Sequence, residues 1–201
     1  CILDQSLGMD AMQLIFLPFL NHPELMYQLN DYALSYPDSV RILPVSDKNR
    51  DVVSMISEAV TGEYVLFYDM GNRWEEHALE KAYQHFEKSP NSFDLCLCNE
   101  VFQKKTSAKS TFRFMYKSGN TFKDVRENPR YLAVSLNNVI FRRDALCRAA
   151  MKLENQIRAY SYGWDLMLIT EILKENPVVG IAASADFIYC SSEELYFFES
   201  M

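Results

Sequence analysis

An open, mostly parallel β-sheet covered by helices on both faces is the architecture this sequence predicts. Three observations lead there. Apolar runs alternate with helix-period patterns in a βαβαβαβ rhythm over residues 12–98, and such alternation builds parallel sheets joined by crossover helices. The run at residues 64–68 (YVLFY) is apolar on both faces, as a strand in the middle of a parallel sheet must be. The length of 201 residues, with 49% apolar and 23% charged residues, suits one domain with a sizeable core.

Residues 1–8 (CILDQSLG) read as the end of a helix and its glycine stop, with no strand before it. The chain is therefore expected to be a fragment that lacks its first strand. Residues 12–17 (MQLIFL) form a short strand that Pro18 stops. Residues 24–34 carry Leu25, Leu29 and Tyr32 at helical spacing between Pro23 and Pro37. Residues 40–45 alternate like a strand, and Pro44 suits an edge or a strand end. Residues 51–60 place Val52, Ile56 and Val60 on one helical side, with Asp51 at its start. The strand at 64–68 delivers a single carboxylate, Asp69, to its C-terminal end.

A helix over 74–88 should turn Leu79, Ala82, Tyr83 and Phe86 inward, with Glu75 and Glu76 complementing the positive end of its dipole. Residues 93–98 return as a strand. Beyond residue 100 the rhythm loosens: strands at 111–116 and 137–141 flank a basic loop that turns at Gly119-Asn120. Helices are expected at 144–151 and 165–175, and late strands at 178–182 and 187–190.

Net charge is 20 − 27 = −7, which argues against nucleic acid as a partner. Between Lys104 and Arg130, eight basic residues stand against Asp124 and Glu127, so that segment is +6 and the remainder −13. It is a solvated connector or a cradle for an anionic substrate or lipid headgroup. No apolar run approaches the roughly 20 residues of a membrane helix, and no signal-peptide pattern opens the chain. The five cysteines lack paired spacing, and the three histidines offer no metal-ligand spacing around them. Buried free thiols in a reducing, cytoplasmic setting are the expectation.

The order of these pieces resembles a family 2 glycosyltransferase of the GT-A fold, the kind that builds bacterial capsules and wall polymers. Residues 3–17 (LDQSLGMDAMQLIFL) resemble the family's Gln-Ser helix end and second strand. Residues 62–79 (GEYVLFYDMGNRWEEHAL) resemble "G-E-Y-I-x-F-L-D-S-D-D-x-W-x-x-x-A-L", the strand and helix around its metal motif. Residues 137–146 (NNVIFRRDAL) resemble "N-x-x-F-x-R-x-x-L", and residues 162–173 (YGWDLMLITEIL) resemble "G-E-D-x-x-F-x-x-x-L-L".

The resemblance implies a single GT-A-like domain over 1–201, with a donor-side half at 1–100 and an acceptor-side half at 101–201 that carries the basic loop 104–130. It implies Asp165 as general base for an inverting transfer, and Asp69 with Asn72 on the donor side. Trp164, Asn137 and Arg142 fall on the acceptor side. A Mg²⁺ or Mn²⁺ ion would bind only if Asp69 still serves as its ligand; otherwise no cofactor is implied. The implied partners are a nucleotide sugar or glycan and other domains of a longer polypeptide, through which the protein could associate with a membrane.

The sequence departs from the family where donor binding is concentrated. The "V-D-D-G-S" after the second strand is Leu17-Pro18-Phe19-Leu20-Asn21, and the "D-S-D-D" is Asp69-Met70-Gly71-Asn72. The "A-R-N-x-G" segment is replaced near Val52–Ile56, and Trp164 stands where an acid precedes the base. Each lost charged hydrogen bond is worth about 1.5–3 kcal/mol, so three or four cost several powers of ten in affinity. A glycosyltransferase-like pseudo-enzyme is one expectation; an active inverting enzyme with divergent, metal-independent donor recognition is the other. Read without the family, Asp69 and Asn72 are turn or capping residues, and Asp165 opens a helix. Tyr160, Tyr162 and Trp164 line a sugar platform or pack internally.

Overall fold

The computed structural model describes residues 2–18, 23–43, 58–68, 73–88, 93–104, 110–114, 138–159, 164–175 and 177–191. These form a mixed α/β fold with two compact units interleaved along the chain. One comprises residues 1–6, 66–140 and 178–201; the other comprises 7–65 and 141–177.

The second unit begins with a 3₁₀ turn, Met9–Ala11, then β1 (Leu14–Phe16), α1 (Pro23–Ser35) and β2 (Val40–Ile42). β1 and β2 pair in parallel, Leu14 opposite Val40 and Phe16 opposite Ile42. This is the expected strand–helix–strand crossover, and Leu29 is the side chain that α1 buries. Gln13 fastens the loop before β3: its amide donates to the Ala59 carbonyl at 3.1 Å and its oxygen accepts the Thr61 N–H at 2.9 Å. β3 (Tyr64–Leu66) lies beside β7 (Val139–Arg142). The helices α3 (Arg143–Ala159) and α4 (Trp164–Lys174) pack together. Leu146, Ala149, Ala150, Leu153 and Ile157 of α3, and Leu168, Ile169 and Ile172 of α4, are buried. Outside that seam, Lys152 pairs with Glu175 and Arg148 reaches Glu175 at 3.7 Å. The helix expected at 51–60 lies mostly outside the described residues.

The first unit is built on β5 (Leu95–Lys104), β8 (Val179–Ser191), β4 (Arg73–Trp74), β6 (Ser110–Phe114) and α2 (Ala78–Glu87). β5 and β8 run parallel over ten paired positions, from Leu95 opposite Val179 to Lys104 opposite Ser191. Asp94 brackets the start of this ladder, its N–H donating to the Val178 carbonyl and its carboxylate accepting the Val178 N–H. Leu95, Cys96, Leu97 and Cys98 are all buried, so both faces of β5 are covered. Cys96 and Cys98 are free thiols, as expected.

Five elements differ from their sequence reading: α3 runs on to Ala159, beyond the expected 144–151, and four others depart as follows. Residues 178–182 and 187–190 belong to one continuous strand, because a bulge absorbs the small-residue break between them. Cys98 faces Ala182 and the next residue, Asn99, faces Asp186, so the register skips 183–185. The buried Asn99 amide holds the bulge by donating to the Ala183 carbonyl at 2.6 Å. Trp74 does not start a helix: with Arg73 it pairs antiparallel to β8, opposite Phe187, and its ring meets Tyr68 edge-on at 4.8 Å. Helix α2 buries Ala78, Ala82 and Phe86, leaving Tyr83 exposed. Finally, β5 continues to Lys104, because β6 pairs antiparallel with its second half.

Two glycines are required for different reasons. Gly180 lies beneath the Phe93 ring, which is stacked on His85 at 5.4 Å and met edge-on by Phe86 at 5.8 Å. A Cβ at 180 would come within 2.6 Å of that ring. Gly8 has open space around it but φ of +79° and ψ of 152°, a conformation essentially restricted to glycine. Gly180→Ala and Gly8→Ala should each lower the unfolding free energy in urea by about 1–3 kcal/mol. A Gly180→Ala protein as stable as wild type would refute the seating of Phe93.

Burial lowers the pKa of His85 from its usual 6.5. The unfolded chain therefore takes up the proton first as pH falls, and folded stability drops below about pH 6.5 until the folded-state pKa is passed. Melting temperature should decline over that window in the wild type, and His85→Gln should flatten the slope there.

Candidate functional site

The sequence-predicted residues do not converge on one described centre. Asp69, Asn72 and Asn137 lie outside the described residues. Trp164 and Asp165 are the first two residues of α4, and the packing of α4 on α3 fixes the direction of that backbone. Arg142 closes β7, with Nη1 3.2 Å from the Glu63 carboxylate and its guanidinium 5.6 Å above the Tyr64 ring centroid. Such a pair combines charge with the attraction of a cation for an aromatic face.

Arg142 belongs to a polar cleft of about 190 Å³ lined by Thr61, Glu63, Arg142, Arg143 and Asp144. The backbone of Arg143 donates to the Glu63 carbonyl at 2.8 Å, and Nη1 donates to the Thr61 carbonyl at 3.3 Å. Its guanidinium also reaches the Asp144 carboxylate at 3.3 Å. The two arginines thus tie the segment before β3 to the β7–α3 junction. Their charges are matched by Glu63 and Asp144, so the cleft is balanced rather than strongly cationic.

Sequence reasoning quoted two stretches whose working residues were not singled out. In residues 137–146 the spacing "N-x-x-F-x-R-x-x-L" falls on Asn138, Phe141, Arg143 and Leu146. Asn138 is fully buried and donates to the Cys98 carbonyl at 3.3 Å, while Phe141 and Leu146 are core residues. The second is the Gln-Ser pair. Gln5 is buried, donates to the Glu75 carbonyl at 2.9 Å and accepts the Leu79 N–H at 3.2 Å. It caps α2 from far away in sequence, at a helix whose own N-cap residue, His77, makes no side-chain cap bond. Ser6 adds a backbone bond to the Glu76 carbonyl at 2.9 Å and a hydroxyl bond to Glu80, which lowers the Glu80 pKa. The signal for Gln5 was present in the motif, but its partner 70 residues away was not.

Among the described residues, no three His, Cys, Asp or Glu side chains stand together as a metal ion would need. The ion implied by the family resemblance would depend on Asp69, followed two positions later by Gly71, which has no side-chain oxygen to offer. No described helix is long and apolar enough to cross a membrane.

Comparison with known proteins bears on the fold, which is mixed α/β. The similar solved structures include three crystal structures of S. aureus TarS. TarS residues 1–349 in complex with UDP match at 10% identity and a TM-score of 0.66, covering 94% of this chain and 54% of that chain. The structure titled simply TarS 1–349 matches at 11% identity and 0.66 with the same coverage. A further TarS structure gives 11% and 0.67, with 95% of this chain and 33% of that chain covered. The chain therefore spans about half or less of the structures it matches. No family model matches the sequence, and no curated protein matches it.

Gln5→Ala should cost about 1–3 kcal/mol, because it removes the partner of the half-buried Glu75 carbonyl and Leu79 N–H. The exposed Ser6→Ala should cost less than about 1 kcal/mol. Urea midpoints of the two variants check the order; a Ser6→Ala loss larger than that of Gln5→Ala would refute the remote cap.

Proposed function

We propose that this chain is a glycosyltransferase-like domain, related to those that build bacterial polysaccharides and cell-wall polymers, without the family's usual nucleotide-sugar and metal binding. In this reading it serves as a binding or scaffolding module within a longer polypeptide. The observation that carries the reading is the end of the parallel β1–β2 pair. Ligands of open α/β sheets bind outside the C-terminal strand ends. There β1 is followed by Leu17 and Pro18, and Leu43 follows β2 with its N–H on the Phe16 carbonyl at 2.9 Å. In the sequence, Pro18 and Phe19 stand where the resemblance calls for two carboxylates to grip a nucleotide. The fold shared with UDP-bound TarS supports the ancestry, and Gly71 in place of a metal-binding acid supports the loss.

The test is thermal melting with a panel of UDP-, GDP- and CDP-sugars, each with and without Mn²⁺ or Mg²⁺. No shift across the panel is expected. A saturable rise that Asp69→Ala abolishes would overturn this reading. Transfer activity lost in Asp165→Asn would then establish the inverting enzyme with Asp165 as base.

A further inference from the structure

The outer face of α1 carries an unusual seam. Glu24, Tyr27, Asp31 and Leu34 follow one another at i, i+3, i+7 and i+10, the spacing of a helix-pairing seam. At about 100° per residue all four fall within about 80° of arc. Leu29, the buried residue, points the opposite way. Tyr27 is 71% exposed and Leu34 80% exposed, and Glu24 and Asp31 are exposed between them. A helix that only covers a sheet gains nothing from placing an aromatic and a leucine in water.

The first 40 residues carry charge of one sign only. None of the 20 lysines and arginines lies in residues 1–40, which hold Asp4, Asp10, Glu24, Asp31 and Asp38. A second copy of the same face would set Glu24 and Asp31 against their own kind, and an anionic membrane surface would be repelled. We propose that this face of α1 is a docking surface for a basic amphipathic helix of a partner protein. Apolar residues of that helix would cover Tyr27 and Leu34, and its lysines or arginines would meet Glu24 and Asp31. The inference is independent of nucleotide-sugar binding.

The test uses fluorescence anisotropy with three labelled peptides: an amphipathic Leu/Lys helix, its Leu/Glu counterpart and a scrambled Leu/Lys sequence. The full chain should bind the Leu/Lys helix saturably. Tyr27→Ser with Leu34→Ser, or Glu24→Lys with Asp31→Lys, should each weaken binding about tenfold or more. The charge-reversed variant should gain affinity for the Leu/Glu helix, which shows that it remains folded and that the face itself is read. Equal binding of the scrambled peptide would overturn the proposal. So would an equal loss in Glu58→Lys with Glu87→Lys, which makes the same change of net charge outside α1. A concentration-dependent dimer in sedimentation, lost in Leu34→Ser, would assign the face to self-association instead.

Discussion

The parallel pairing of β5 with β8 is the constraint from which the first unit is built. A strand buried on both faces must pair its backbone groups along its edges, because an unpaired buried amide costs as much as a lost hydrogen bond. β5 meets that demand with β8 along one edge. On the other edge it meets β7 first and then β6. The two buried asparagines sit where the pattern changes. Asn99 secures the bulge in β8, and Asn138 donates to Cys98 at the approach to β7. Both donate a side-chain amide to a backbone carbonyl of the sheet. A leucine at either position would fit the hydrophobic pattern and lose that hydrogen bond.

Helix α2 depends on the same logic at longer range. Its N-terminus is capped by Gln5 rather than by a neighbour, so residues 5 and 6 are tied to 75–80. The packing that follows is close. Ala78 and Ala82 bring the helix near the strands, Phe93 fills the space over Gly180, and His85 covers the ring. Small residues, a capped end and one aromatic wedge form a single arrangement. The Gln-Ser pair of the family resemblance is thus explained by architecture, without appeal to catalysis.

The second unit divides into an inner scaffold and two charged surfaces. The α3–α4 seam is apolar, and its flank carries Arg148, Lys152, Glu171 and Glu175 in one network. The cleft around Arg142 and Arg143 uses charge to join the β3 entry to α3, which makes Arg142 a structural tie among the described contacts. The outer face of α1, by contrast, spends apolar surface on solvent. These features separate residues that hold the fold from residues that face outward for a partner.

Periodicity and punctuation were enough to place β1, α1, β2, β3, α3 and α4, because each is a local pattern bounded by proline, glycine or charge. Residue order also carried the likeness to glycosyltransferases, and the missing acids at 18–19 and Gly71 were legible as plain substitutions. Local pattern could not reveal that Trp74 joins β8, that residues 182–187 run through a bulge, or that Gln5 caps a helix beginning at Ala78. Each of those outcomes is decided by a hydrogen-bond partner some 70 to 110 residues away, and periodicity is blind to contacts at that separation. The chain's spacing can say which face of a strand is apolar; only the folded neighbours say which buried carbonyl needs an amide.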